Sequence, residues 1–137
     1  MSVEENKALV RKMYELTNQG KLDAFYELVS PECVFHFPDG DMSKEEAKRF
    51  DTMWLCAFPD IKVAIEDMVA EGDKVAIRVN WQGTYQGEFM GSAPTGRKIN
   101  ITNANTIKIT DGRWIEFWNV TDIRLARQLS GEKNATG

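Results

Sequence analysis

The apolar residues of this chain change period at Pro59-Asp60, and that change limits the fold more than any other feature. Before it, apolar residues recur three and four positions apart, the spacing of one helix face. Ser2-x-x-Glu5 has the form of a capping box, in which a hydroxyl and a carboxylate satisfy the free N–H groups of a starting helix. Leu9, Met13 and Leu16, with Val10 and Tyr14 one position along, then make a broad buried stripe that Gly20 ends. Leu22, Phe25, Tyr26 and Val29 predict a second short helix ending near Pro31. Cys33–Pro38 reads as a short strand closed by the turn Pro38-Asp39-Gly40. Ser43-x-x-Glu46 is a second capping box, and a third helix runs to about Phe58 with Ala47, Phe50, Trp54 and Ala57 facing inward.

After Asp60 the pattern alternates. Ile61, Val63 and Ile65 face one way, and Lys62, Ala64 and Glu66 the other. Glu71-Gly72-Asp73 makes a turn, and Val75, Ile77, Val79 and Trp81 form the next apolar strand face. The glycines at 83, 87, 91 and 96 mark the longest flexible stretch, and Lys98–Ile109 is a further strand. Asp111-Gly112 supplies the positive φ angles of a tight hairpin, and a last strand follows through Asp122. Helices first and an antiparallel run of strands last predict an α+β fold with helices covering one face of a sheet. One domain over residues 1–130 is expected, with the small and polar residues 131–137 as a disordered tail.

Bulk composition narrows the function. A net charge of −4 with no basic run argues against nucleic acid as a partner. No leader and no apolar run of membrane-spanning length is present, so a cytoplasmic protein without membrane contact is expected. With one histidine, and cysteines only at 33 and 56, neither a metal site nor a disulfide is expected. The glycines do not sit between a strand and a helix start, so they form no phosphate-cradling loop.

Two strands carry the residues suited to chemistry. On the closing strand, alternation puts Trp114, Glu116, Trp118, Val120 and Asp122 on one face. Indoles mixed with acids suit a pocket wall, or a sheet edge capped by the rings. On Lys98–Ile109 the face Ile99, Ile101, Asn103, Asn105, Ile107 and Ile109 is apolar except for two central amides. Buried amides need partners, either neighbouring strands or the oxygens of a ligand. The hairpin joins these strands, which brings the amides and acids toward one cavity. His36 lies between Phe35 and Phe37; a lone histidine in such a setting is more often a core or rim residue than a catalyst, but it titrates near neutrality. Phe50 and Trp54 belong to the core stripe or to the apolar wall of a pocket.

The motifs Glu5-Asn-Lys-Ala-Leu-Val-Arg-Lys-Met-Tyr14, Asn18-Gln-Gly20, Ala57-Phe-Pro-Asp60, Glu71-Gly-Asp-Lys-Val75 and Gly83-Thr-Tyr-Gln-Gly-Glu-Phe-Met-Gly91 follow one another in order. Pro94-Thr-Gly96 and the closing Asp111-Gly112, Trp118 and Asp122 complete the series. In this order the chain resembles the SnoaL-like polyketide cyclases of the nuclear transport factor 2-like superfamily. The resemblance implies a curved antiparallel sheet around a deep apolar pocket closed by helices, and a homodimer. It implies ring closure by intramolecular aldol condensation without metal or cofactor, with Asp122 as the acid/base. Relatives often carry a histidine on the strand before the final hairpin; here that strand offers Asn103, Asn105 and Lys108.

Proton removal beside a carbonyl needs a carboxylate with a raised pKa, which an apolar pocket supplies by desolvation. Ketosteroid isomerase, of the same superfamily, is a known case of such tuning. The enolate then needs a donor. Asn105 is the first choice, with Asn103, the Trp118 indole and His36 as the others, and Trp118, Trp54, Asn103, Phe50 and Glu116 as contacts to a small hydrophobic substrate. Two readings follow: a cofactor-free cyclase or isomerase, and a non-catalytic pocket for a hydrophobic ligand. An epoxide hydrolase ranks last, because no Asp–Arg–Asp spacing is found.

Overall fold

The computed structural model describes residues 2–121; Asp122 and the tail 131–137 lie outside the described residues. Three helices, α1 (Val3–Asn18), α2 (Leu22–Glu27) and α3 (Lys44–Ala57), accompany six strands. These are β1 (Val29–Phe37), β2 (Gly40–Ser43), β3 (Lys62–Glu71), β4 (Lys74–Thr84), β5 (Lys98–Thr110) and β6 (Arg113–Thr121). They form one curved sheet in the order β2-β1-β6-β5-β4-β3. Its pairs are antiparallel except β1 with β6, which run parallel. No helix among the described residues is long and apolar enough to cross a membrane.

Both expected capping boxes form. Ser2 and Glu5 cap α1 and each other, and Ser43 and Glu46 do the same for α3. The Asp111-Gly112 turn has φ angles of 52° and 74°, as the hairpin requires. Helix α1 packs across β3 and β4, while α3 lies against β1 and β2. The Asn18 side chain at the end of α1 exchanges two 2.8 Å hydrogen bonds with the Val63 backbone, so an amide takes the place of a neighbouring strand on the edge strand β3.

Four local expectations are corrected. Val29 starts β1 rather than ending α2, and Pro31 lies within β1, where pairing with β6 is irregular between Val29 and Val34. Strand β2 adds an element that alternation does not signal. The glycine stretch after β4 is not free: the N–H groups of Gln86 and Gly87 both donate to the Ala57 carbonyl. Phe89 is buried against Phe50 and Trp54.

The fourth correction concerns β6. Its register slips opposite Lys108 and Ile109, so Trp114 pairs with Ile109 while Glu116 pairs with Lys108. One extra residue, Ile115, reverses the alternation beyond it. Trp114 therefore shares the helix-covered face with Phe117, Asn119 and Thr121, and its ring stacks on Phe117 at 5.5 Å. Glu116, Trp118 and Val120 turn to the opposite face, not to that of Trp114 as simple alternation predicts.

The contact at Gly87 is testable. A Cβ there would stand 2.5 Å from the Cys56 carbonyl oxygen, and backbone cannot yield as a flexible side chain can. Gly87→Ala should lower stability by about 1–3 kcal/mol. A urea titration should show a lower midpoint at unchanged slope; an unchanged midpoint would mean the loop is not pinned on α3.

Candidate functional site

The apolar residues under the helices form two clusters. One contains Val10, Met13, Tyr14, Trp114, Ile107 and Ile109, and the other Trp54, Phe58, Tyr85, Phe89, Ile99 and Ile101. Asn103 and Asn105 are buried on β5 between Ile101 and Ile107, at the seam of the two. The amides therefore occupy the place where the apolar packing divides.

Asn105 is the middle of a hydrogen-bonded chain. The Thr121 hydroxyl donates to Asn119 Oδ1, Asn119 Nδ2 donates to Asn105 Oδ1 at 2.8 Å, and Asn105 Nδ2 donates to the Tyr14 hydroxyl at 3.1 Å. The β6 slip makes this possible, because it pairs Asn119 with Asn105 and Thr121 with Asn103. In these amide orientations every bond points the same way, so each polarises the next. The chain ends on Tyr14, whose own proton has no acceptor among the described residues. Burial pushes the Tyr14 pKa well above that of an ordinary phenol, opposed by the Asn105 bond, so Tyr14 remains a donor at any working pH.

Beside this chain stands a carboxylate that the sequence reading passed over. Asp51 lies on α3 within the inward stripe, between Ala47 and Trp54, and accepts a hydrogen bond from the buried Tyr26 hydroxyl through Oδ2. Loss of water around its carboxyl raises its pKa to about 6, against the Tyr26 hydrogen bond, which lowers it. Its charge in turn helps raise the Tyr14 pKa, so the two groups lie within electrostatic reach. An acid interrupting an apolar helical stripe was the available signal; reading the stripe only through its apolar members hid it. Trp114 Nε1, also buried in this region, has no hydrogen-bond partner among the described residues.

The other expected residues divide between the faces. Phe50 and Trp54 are on the helix-covered side, where Phe50 meets Phe37 and Phe89, and Trp54 meets Trp81 and Phe89. His36, Glu116 and Trp118 gather on the opposite face. Nε2 of His36 is 2.6 Å from Glu116 Oε2, its Nδ1 is 2.8 Å from Asp41 Oδ1, and its ring stacks on Trp118. They do not join Asn103 and Asn105.

Comparison with known proteins places this architecture. The family model for SnoaL-like polyketide cyclases matches residues 7–129. The chain belongs to the SnoaL-like polyketide cyclase family. Among solved structures, it is 31% identical to AclR of Streptomyces galilaeus, named as a candidate hydroxylase, with a TM-score of 0.90 over 98% of this chain and 86% of that one. It is 29% identical to IdmH of Streptomyces antibioticus, named as a candidate polyketide cyclase, with a TM-score of 0.76 over 92% and 96% of the two chains. A candidate SnoaL-like polyketide cyclase of Jannaschia sp. CCS1 shares the fold at 23% identity and a TM-score of 0.82, over 95% and 94% of the chains. A search of curated proteins finds no match.

Two pH effects follow. The Asp51 pKa is about 6 in the folded chain against 3.8 ordinarily, so the fold takes up a proton between these values. Stability is then greatest below about pH 4 for this group and falls as pH rises through about 6, by up to about 3 kcal/mol. Asp51→Asn keeps an acceptor for Tyr26 and should melt higher than wild type at pH 7.5, with the gap closing toward pH 4. An equal gap at both pH values would contradict this. On the outer face, hydrogen bonds to Glu116 and then Asp41 raise the His36 pKa. Glu116→Gln should move the His36 ring-proton titration toward its ordinary value, and an unmoved midpoint would show that the pair does not form in solution.

Proposed function

We propose that this protein is an enzyme working by cofactor-free acid/base chemistry on a small hydrophobic carbonyl compound, closing a ring by intramolecular aldol reaction or isomerising the substrate. The observation that supports this most is the one-way chain Thr121, Asn119, Asn105, Tyr14, ending in a free hydroxyl proton at the seam between two apolar clusters. A buried structural amide pair has no need to deliver a donor there. A substrate whose carbonyl becomes an enolate does, because the developing charge needs preorganised donors in a dry site. Family membership supports the same reading, although a shared fold hosts more than one chemistry and AclR is named for a different reaction.

In this proposal the substrate lies against Phe50, Trp54 and Asn103, with its carbonyl oxygen toward Tyr14. Asp122, the residue after Thr121, is the proposed base for the proton on the adjacent carbon; the alternation of β6 continued by one residue would set it with Val120, so this role requires the chain to leave that alternation after Thr121. Asn105 holds and polarises Tyr14, and so acts as a positioning residue. The homodimer that the resemblance implies belongs to the proposal as well; Val34 and Val120, both exposed near Trp118, give the outer face an apolar strip.

Exchange of the α-protons of 2-tetralone in D2O, followed by proton NMR, tests the chemistry. Wild type should exchange faster than buffer. Asp122→Asn should abolish that excess, and Tyr14→Phe should reduce it by roughly a hundredfold or more. Exchange unaffected by either substitution would refute the assignment. Binding of the ketone with no exchange at all would leave a ligand-binding pocket.

A further inference from the structure

Asp51 has no evident place in the structural logic of α3. The helix buries Ala47, Trp54 and Ala57 against the sheet, and a carboxylate within that stripe costs free energy that an apolar residue would not. Tyr26 engages only one of its oxygens, Oδ2; among the described residues Oδ1 has neither a hydrogen-bond nor an ion-pair partner. The side chain is thus oriented by one bond and left with a functional atom unspent. Phe50 precedes it on α3, and its field reaches Tyr14, the donor end of the polar chain.

We infer that Asp51 is a second proton-exchanging carboxyl of the same site, giving a proton to the oxygen of the bound carbonyl while another group removes one from the adjacent carbon. The inference rests on the carbonyl reading above. As the α-carbon loses its proton to Asp122, the C–H electron pair becomes the C=C bond of an enol. The carbonyl π pair moves onto oxygen, which takes the proton of the Asp51 carboxyl. Asp51 is left as a carboxylate stabilised by the Tyr26 O–H, and solvent resets both acids. Tyr26 is a positioning residue in this step.

The surroundings make the titration assignable. The ionisable groups around Asp51 are Tyr26 on α2 and Tyr14 on α1, with Cys33 of β1 acting on Tyr26. Burial raises all three, Cys33 to about 12 and both phenols well above their ordinary value. Lys48 of α3 pairs with Asp23 at 2.7 Å, and Lys44 donates to the Val29 carbonyl. Of these groups only Asp51 changes charge near pH 6. A bound ketone that displaces water should hold it protonated to still higher pH.

The experiment is binding of 1-tetralone, which can only accept hydrogen bonds at its oxygen, measured calorimetrically from about pH 5 to about pH 8. Protonated Asp51 donates to the ketone, whereas the carboxylate repels its oxygen. Wild-type affinity should therefore fall about tenfold as pH rises through the Asp51 titration, the equivalent of one good hydrogen bond. Asp51→Asn should bind with no pH dependence. A wild-type carbon NMR titration, independent of any variant, should show the Asp51 midpoint moving up when 1-tetralone is bound. A flat wild-type profile, a slope that survives in Asp51→Asn, or a midpoint indifferent to the ketone would each overturn the role. Failure of the ketone to bind at any pH would overturn the carbonyl reading and this role with it. Binding with the predicted slope but without α-proton exchange would leave Asp51 as a ligand contact and overturn its proton transfer together with the proposed catalysis, whereas exchange with a flat profile would overturn the Asp51 role alone.

Discussion

The extra residue that β6 carries opposite Lys108 and Ile109 determines what each face of the sheet can hold. Side chains alternate along a strand, so one inserted residue exchanges the faces of everything beyond it. Without it, Glu116 and Trp118 would sit under the helices and Asn119 would point outward. With it, Asn119 pairs with Asn105 on the covered face and completes a polar chain that reaches from β6 across β5 to α1. The same insertion sends Glu116 to the far side, where it meets His36. Both of these polar constellations thus depend on one local irregularity.

A chain of three sheet residues and one helix residue is a costly thing to bury. It stands only because every amide in it is bonded, since an unpaired one would cost about 1–3 kcal/mol. The apolar clusters on either side supply the burial that offsets this, and they also dry the site. Desolvation acts in the same direction on both acids there, favouring the neutral form: it keeps Tyr14 protonated as a donor and raises the Asp51 pKa toward neutral pH. A seam between packed regions with donors at it, and a tunable carboxyl within electrostatic reach of Tyr14, suits acid/base work on a neutral carbonyl.

Much of the fold was legible in the sequence because it rests on local rules. Two capping boxes, the period change at Pro59-Asp60 and the Asp-Gly turn each act over a few residues, and each appears in the structure as expected. The interrupted apolar face of β5 was equally plain, and Asn103 and Asn105 are indeed buried within it. What was not legible depends on pairing. Strand β2 spans Gly40–Ser43, has no buried residue, and exists because β1 offers it an edge. The β6 slip leaves no mark in composition, so the faces of Glu116 and Trp118 were read in the wrong phase. Asp51 was a different kind of miss: its position in the α3 stripe was visible, but its neighbour Tyr26 comes from another helix. The expected acid Asp122 follows directly on the last described strand.

The central claim is that Tyr14 presents a proton, polarised through Asn105, to the oxygen of a bound carbonyl. The most direct measurement is proton NMR of the Tyr14 hydroxyl, assigned by its absence in Tyr14→Phe, with and without saturating 1-tetralone. The account predicts a resonance that moves downfield on ketone addition while the Asn105 side-chain amide protons stay slowly exchanging. A hydroxyl resonance indifferent to the ketone, or Asn105 amide protons exchanging freely with solvent, would contradict it.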